Sequence, residues 1–254
     1  MVQVRLQAPL GYGAVTPLDR QRHAGLALRP DHSAAWCAEL NSVLLNAVEM
    51  PVAGLDYPLA FVREAHSGEY WPAALLGLRA RQNLYVDEQG RWRAGVYVPA
   101  IVRRHPFCVA TATAEDGEPK QLICVQEDQL APSDQPWFDA RGEPTAAWAP
   151  WQKLIEAFES ARAQTRAFVK RLDAFGLLVP FEALALPENR PPLRLQGLWR
   201  VDEQKLHALE EAALRESMRR GELRAVYAHL LSLENFAKLL DRSAAADGRR
   251  DQAH

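Results

Sequence analysis

The sequence predicts an α+β fold: a mainly antiparallel β-sheet packed by one long helix, with a C-terminal helical subdomain. Three patterns carry that prediction. Between Asn41 and Gln126, short apolar runs alternate with Gly- and Pro-bearing turns, as in antiparallel hairpins. From Trp151 to Phe175, apolar residues recur at spacings of three and four, which marks one helical face. Beyond Asp202, further apolar stripes at helical spacing end at Gly221 and resume through Leu230 and Leu240.

Taken in order, residues 1–35 carry Gly, Pro and Arg without periodicity and are expected as an extended arm partly wrapping the domain. The core domain is expected over 36–201, the helical subdomain over 202–242, and a flexible tail over 243–254. Val43–Leu45 reads as a short strand, and Ala47–Leu55 as one helical turn or a bulged connection, because Pro51 opposes a long helix. Tyr57–Val62 and Ala73–Leu78 pair as strands. Leu84–Val86 enters a type I turn with Gly90 at the left-handed position, and Arg91-Trp92 begins the return strand. The clearest hairpin is Phe107–Thr113 with Gln121–Val125, closed by Glu-Asp-Gly-Glu-Pro, in a register, open by a residue or two, that brings Cys108 close to Cys124 or Val125. Residues 127–150 form a Pro- and Trp-rich connection with hydrophobic anchors. The long helix is expected over 146–175, started near Thr145 and stopped by Gly176. A second hairpin joins Phe181–Leu186 to Leu193–Val201 around Pro187–Pro192. Asp202 caps the next helix, and Ser232 restarts the last.

Composition excludes several classes. With 48% hydrophobic and 24% charged residues the chain is not globally disordered. A formal net charge of −2 gives no general pull toward nucleic acid or acidic membranes. Three cysteines are too few and too scattered for a disulfide framework or zinc site. No run approaches the ~18 apolar residues of a bilayer span, and the first residues lack a signal-peptide pattern, so the expected location is cytoplasmic.

No catalytic signature is visible: no nucleophile elbow, no metal-binding histidine spacing, and no third glycine after Gly11-Tyr12-Gly13. No catalytic residue, metal or cofactor is therefore assigned. His66 and His229 stand alone, the usual condition of a structural histidine.

Charge placement says more than the total. Arg79, Arg81, Arg91, Arg93, Arg103 and Arg104 face only Asp87 and Glu88 locally, while residues 115–143 are strongly acidic. Either the two segments pair with one another, or the basic one offers an anion- or partner-binding face. Arg103-Arg104 sits between Ile101-Val102 and Pro106-Phe107, so the pair is expected inside an apolar strand. Neighbours on a strand point to opposite faces, so one arginine should reach an internal carboxylate, with Glu49 the preferred partner. Tyr57, Trp92 and Tyr97 complete a candidate ligand- or partner-binding set with Glu49, Arg103 and Arg104.

The same residues resemble the bacterial SapC-like family: Glu49-Met50, Tyr57-Pro58, Leu75 to Leu78, Asn83-Leu84, Gly90 to Trp92, Val98 to Ala100, and Arg103-Arg104 through Phe107. Tyr227 to Leu230 and Ser232-Leu233 fit it too, and the likeness spans roughly residues 20–242. His105 stands where the family pattern leads one to expect Tyr. The resemblance carries over no catalytic residues and implies an accessory role linked to nutrient uptake or peptide modification. The leading expectation is a non-catalytic accessory protein binding a protein partner or a small anionic ligand through an Arg-rich β face. The alternatives are an enzyme built around Glu49, Tyr57, Arg103 and Arg104 and, ranked lower, a surface-layer-associated structural protein.

Overall fold

In the computed structural model, which describes residues 8–65, 67–113, 119–185 and 192–252, every strand pairing is antiparallel. The strands are β1 (Thr16–Pro17), β2 (Leu26–Leu28), β3 (Ser42–Leu44), β4 (Leu59–Arg63), β5 (Tyr70–Leu75), β6 (Phe107–Thr113), β7 (Pro119–Val125), β8 (Leu130–Pro132), β9 (Leu178–Ala185) and β10 (Leu193–Val201). The helices are α1 (Met50–Ala53), α2 (Ala100–Arg103), α3 (Ala149–Ala174), α4 (Glu203–His207), α5 (Glu211–Arg219), α6 (Glu222–Ser232) and α7 (Asn235–Gln252).

A five-stranded sheet in the order β3-β5-β4-β10-β9 carries the main core, and β6 and β7 form a second sheet with β1 on its edge. The arm is stitched in by pairing: β1 adds to β7, and β2 pairs with β8. Helix α3 serves both sheets. Its Phe168, Val169 and Leu172 enter the main core, whereas Ile155 joins Phe107, Val125, Trp137, Phe138 and Trp148 under the second. At 1.5 Å per residue its 26 residues reach about 39 Å, long enough to cover both. Gly176, at φ 63°, closes it in the left-handed conformation that only glycine adopts cheaply. The Trp-rich connection anchors through Trp137 and Trp148, whose rings lie 4.8 and 5.5 Å from Phe107.

Of the two registers the hairpin reading allowed, β6 and β7 adopt the one that sets Cys108 opposite Cys124, and both are free thiols. The Glu115–Glu118 loop, the 187–191 turn and His66 lie outside the described residues.

Four expectations are corrected. Arg103 and Arg104 do not lie in a strand. Pro99 sets up a single helical turn over Ala100–Arg103, and the Glu49 carboxylate accepts from the Ala100 amide at 2.7 Å, satisfying a donor the turn leaves orphaned. The Arg-rich β face is therefore absent as a strand surface. The expected strands at Leu84–Val86 and Arg91-Trp92 shrink to one Val86–Trp92 bridge, because Asp87 folds the turn on itself, accepting from the Gln89 and Arg91 amides. Ser232 ends α6, its hydroxyl donating to the His229 carbonyl, and α7 starts at Asn235. From Ser243 the chain continues as α7 to Gln252, with Ser243 and Asp247 buried and Asp247 paired to Arg79 at 2.8 Å.

Candidate binding site

The sequence grouped six residues, and the structure brings five of them together. Glu49 is buried at the end of the Ala47–Glu49 turn. One carboxylate oxygen accepts from the Tyr97 hydroxyl at 2.9 Å and the Ala100 amide, and the other accepts from the Asn46 amide at 2.9 Å. Three donors from its own fold make this carboxylate a cap that joins the turn to α2. Tyr57, fully buried, donates to the Tyr97 carbonyl and accepts from Trp92 Nε1 at 3.1 Å. The Tyr97 amide is itself held by Asp56 at 2.8 Å. Burial, reinforced by the charge of Glu49, pushes the Tyr97 phenol up to about 12, and burial raises Tyr57 as well. Both remain protonated donors at neutral pH.

Arg103 closes this chain on the outside. Its Nε donates to the Val98 carbonyl at 3.0 Å and its Nη2 to the Tyr97 hydroxyl at 3.2 Å. The guanidinium is exposed, and no ion pair involves it among the described residues. With two of five N–H groups engaged, the remaining fork is oriented toward solvent.

Arg104 departs from the group. At 1% exposure it points the other way, over the Phe158 ring at 3.8 Å, and pairs with Glu159 on α3 at 2.7 Å. The expected partner, Glu49, is already occupied; one helical turn directs adjacent residues about 100° apart and sends Arg104 toward α3. Its Nε has no hydrogen-bond partner among the described residues. The expected pairing between the basic segment and residues 119–143 is also absent among the described residues. Arg79 pairs with Asp247, Arg81 with Glu39 and Arg91 with Asp87.

Neighbouring titratable groups are structural. His105, stacked on Trp36 at 4.5 Å, shares a 2.8 Å hydrogen bond with His32 and contacts Gln126 at 3.2 Å. Burial pushes its imidazole down to about 4. It thus fills a flat aromatic slot. His229 accepts from the Val201 amide at 3.2 Å and donates through Nδ1 to the Leu59 carbonyl at 3.1 Å, and burial holds it at about 4. The hydrogen bond to Cys108, reinforced by burial, pushes the Cys124 thiol up. Sequence reasoning missed Arg242, whose guanidinium lies 4.7 Å over Tyr85 beneath Trp92; 150 residues separate Arg242 from that tryptophan, and no local pattern announces the contact.

Neither a 520 Å³ groove beside α3 and α6 nor a 470 Å³ recess around His32 is lined by any of the six residues. The arrangement is a surface guanidinium on a rigid polar scaffold. The sequence profile of the family described as SapC matches residues 18–239, most of the chain. The chain belongs to the SapC family. No curated protein and no solved structure matches it. Glu49, Tyr57, Trp92, Tyr97 and Arg103, which carried the resemblance or stand beside its motifs, link the Ala47–Glu49 turn, the Trp92 turn and α2 in this SapC member, whereas Arg104 ties α2 to α3. No helix among the described residues is long and apolar enough to cross a membrane.

Proposed function

We propose that this SapC-family chain is a non-catalytic accessory protein that binds a partner protein through a carboxylate held by Arg103. The observation that carries the reading is the contrast within the arginine pair. Arg104 is buried and paired, whereas Arg103 is exposed, held by two hydrogen bonds and without an ion-pair partner among the described residues. A guanidinium immobilised in advance loses little side-chain entropy on binding, and Arg beside a half-buried Tyr is a common composition of interface hot spots. Glu49 favours this reading over an enzyme around the same residues, since the buried carboxylate is held by three donors of its own fold.

The cytoplasm is the compartment we propose, where buried thiols such as Cys37, Cys108 and Cys124 serve as small hydrophobes. The link to nutrient uptake or peptide modification rests on the family likeness.

The test is a quantitative pull-down from the native host with wild type, Arg103→Ala and Arg103→Lys. Arg103→Ala should reduce recovery of the specific partner at least tenfold without altering the thermal midpoint, and Arg103→Lys should restore it only partly, because an ammonium cannot reproduce the fork. Full recovery by Arg103→Ala would remove the proposal.

A further inference from the structure

A second surface stands apart from Arg103. The 520 Å³ groove lies between α3, the Ala47–Glu49 turn and the α5–α6 junction, with Val48, Pro51, Phe168 and Ala225 among its apolar lining. Its charged lining is three guanidinium groups, Arg171, Arg220 and Arg224, against one carboxylate, Glu222. Arg171 is committed to Glu222 at 2.8 Å and Arg220 to Glu216 at 2.7 Å. Arg224 has no ion pair among the described residues, so the groove carries an uncompensated positive charge.

The apolar character continues beyond the groove. Helices α1 and α6 abut so closely that a Cβ on Gly54 would lie 3.0 Å from the Ala228 carbonyl. Arg224, Ala228 and Leu231 share one stripe of α6 by their spacing of four and three. Leu231 is 74% exposed, Val48 and Leu55 are each 70% exposed, and Val52 is 47% exposed. Large side chains left outward in one neighbourhood, next to a concave groove, are uncommon on a surface that faces only water.

We propose that this groove docks an amphipathic helix of a partner protein whose polar face is acidic. Apolar side chains spaced i, i+3 or i+4, and i+7 would fill the groove and cover Val48 and Leu231, while a carboxylate one turn away meets Arg224. The concavity favours a helix over a flat lipid surface. The unpaired guanidinium selects acidic helices over basic ones through like-charge repulsion of the latter.

The probe is a phage-displayed library of 16-residue peptides in a helix-favouring frame, selected on the full chain. Enriched peptides should combine the apolar spacing with Glu or Asp. When synthesised, they should bind wild type and Arg103→Ala equally, but Leu231→Asp and Arg224→Glu at least tenfold more weakly. These two positions are on the surface, and circular dichroism verifies that the variants fold. The proposal is overturned if the enriched peptides lack that pattern, bind both groove variants like wild type, or depend on Arg103. It is also overturned if wild type sediments as a dimer that Leu231→Asp dissociates, which assigns the face to a second copy. Sedimentation with anionic lipid vesicles that Leu231→Asp abolishes would likewise overturn it, assigning the face to a bilayer.

Discussion

Arg103 and Arg104 are chemically identical, and their surroundings give them opposite work. Removing Arg104 takes away both its stacking on Phe158 and the ion-pair partner of Glu159, so Arg104→Ala should cost about 3 kcal/mol in urea unfolding, moderated because Glu159 is partly exposed. Arg103→Ala should change stability by no more than about 0.5 kcal/mol, as for most surface substitutions. Equal losses from the two variants would refute the division of roles. The two buried histidines set a pH dependence. His105 and His229 have an ordinary value of 6.5 and are held at about 4 in the folded chain. Below pH 6.5 the unfolded chain takes up protons that the folded chain refuses, so this contribution is complete above pH 6.5 and is lost as pH falls toward 4. Its ceiling is on the order of 3 kcal/mol per histidine. Urea midpoints measured from pH 7.5 to 5 should decline, and His229→Phe, less stable at pH 7.5 because the Val201 amide and Leu59 carbonyl lose their partner, should show a shallower slope. An unchanged slope would refute the assignment for His229.

At the scale of the element, the short turns depend on close contacts. Helix α2 exists because Pro99 starts it and Glu49 caps it from 51 residues away. Glu49→Ala removes three acceptor contacts and should cost about 2–3 kcal/mol, with Glu49→Gln recovering part, since an amide oxygen still accepts from the Ala100 amide and the Tyr97 hydroxyl. Equal denaturation midpoints for the two variants would argue against the cap. Gly77 marks a tighter constraint: a Cβ there would stand 2.1 Å from the Gln82 carbonyl oxygen, which no rotamer relieves. Gly77→Ala should therefore displace the Gln82 loop, measurable as faster amide exchange at Leu78 and Arg79, whose amides donate to the Gln82 side chain. The long helix and both major hairpins were legible because period and turn residues are local signals. The Arg103-Arg104 segment was not, because a run of Ile, Val and Arg reads as strand until Pro99 and a distant carboxylate are placed beside it.

Across the whole molecule, cohesion comes from pieces that span it. Helix α3 packs on both large sheets, and the N-terminal arm adds β1 to one sheet and pairs β2 with β8. Deleting residues 1–29 should leave β7 and β8 with unpaired edges and lower the unfolding free energy by at least about 3 kcal/mol. A truncated chain with unchanged thermal midpoint would show that the arm is ornamental. The far end is tied in as well, since α7 brings Asp247 to Arg79 and Arg242 to Tyr85.

The sequence by itself determined the fold class, the long helix, the hairpin that carries Cys108 and Cys124, and the family, since each is written in spacing or in nearby residue combinations. Only the tertiary structure decided that Glu49 is a cap, that Arg104 faces inward while Arg103 faces out, and that Val48 and Arg224 line one groove. Those outcomes turn on which distant backbone and side-chain groups compete for one carboxylate or one patch of apolar area, and separation along the chain conceals that competition.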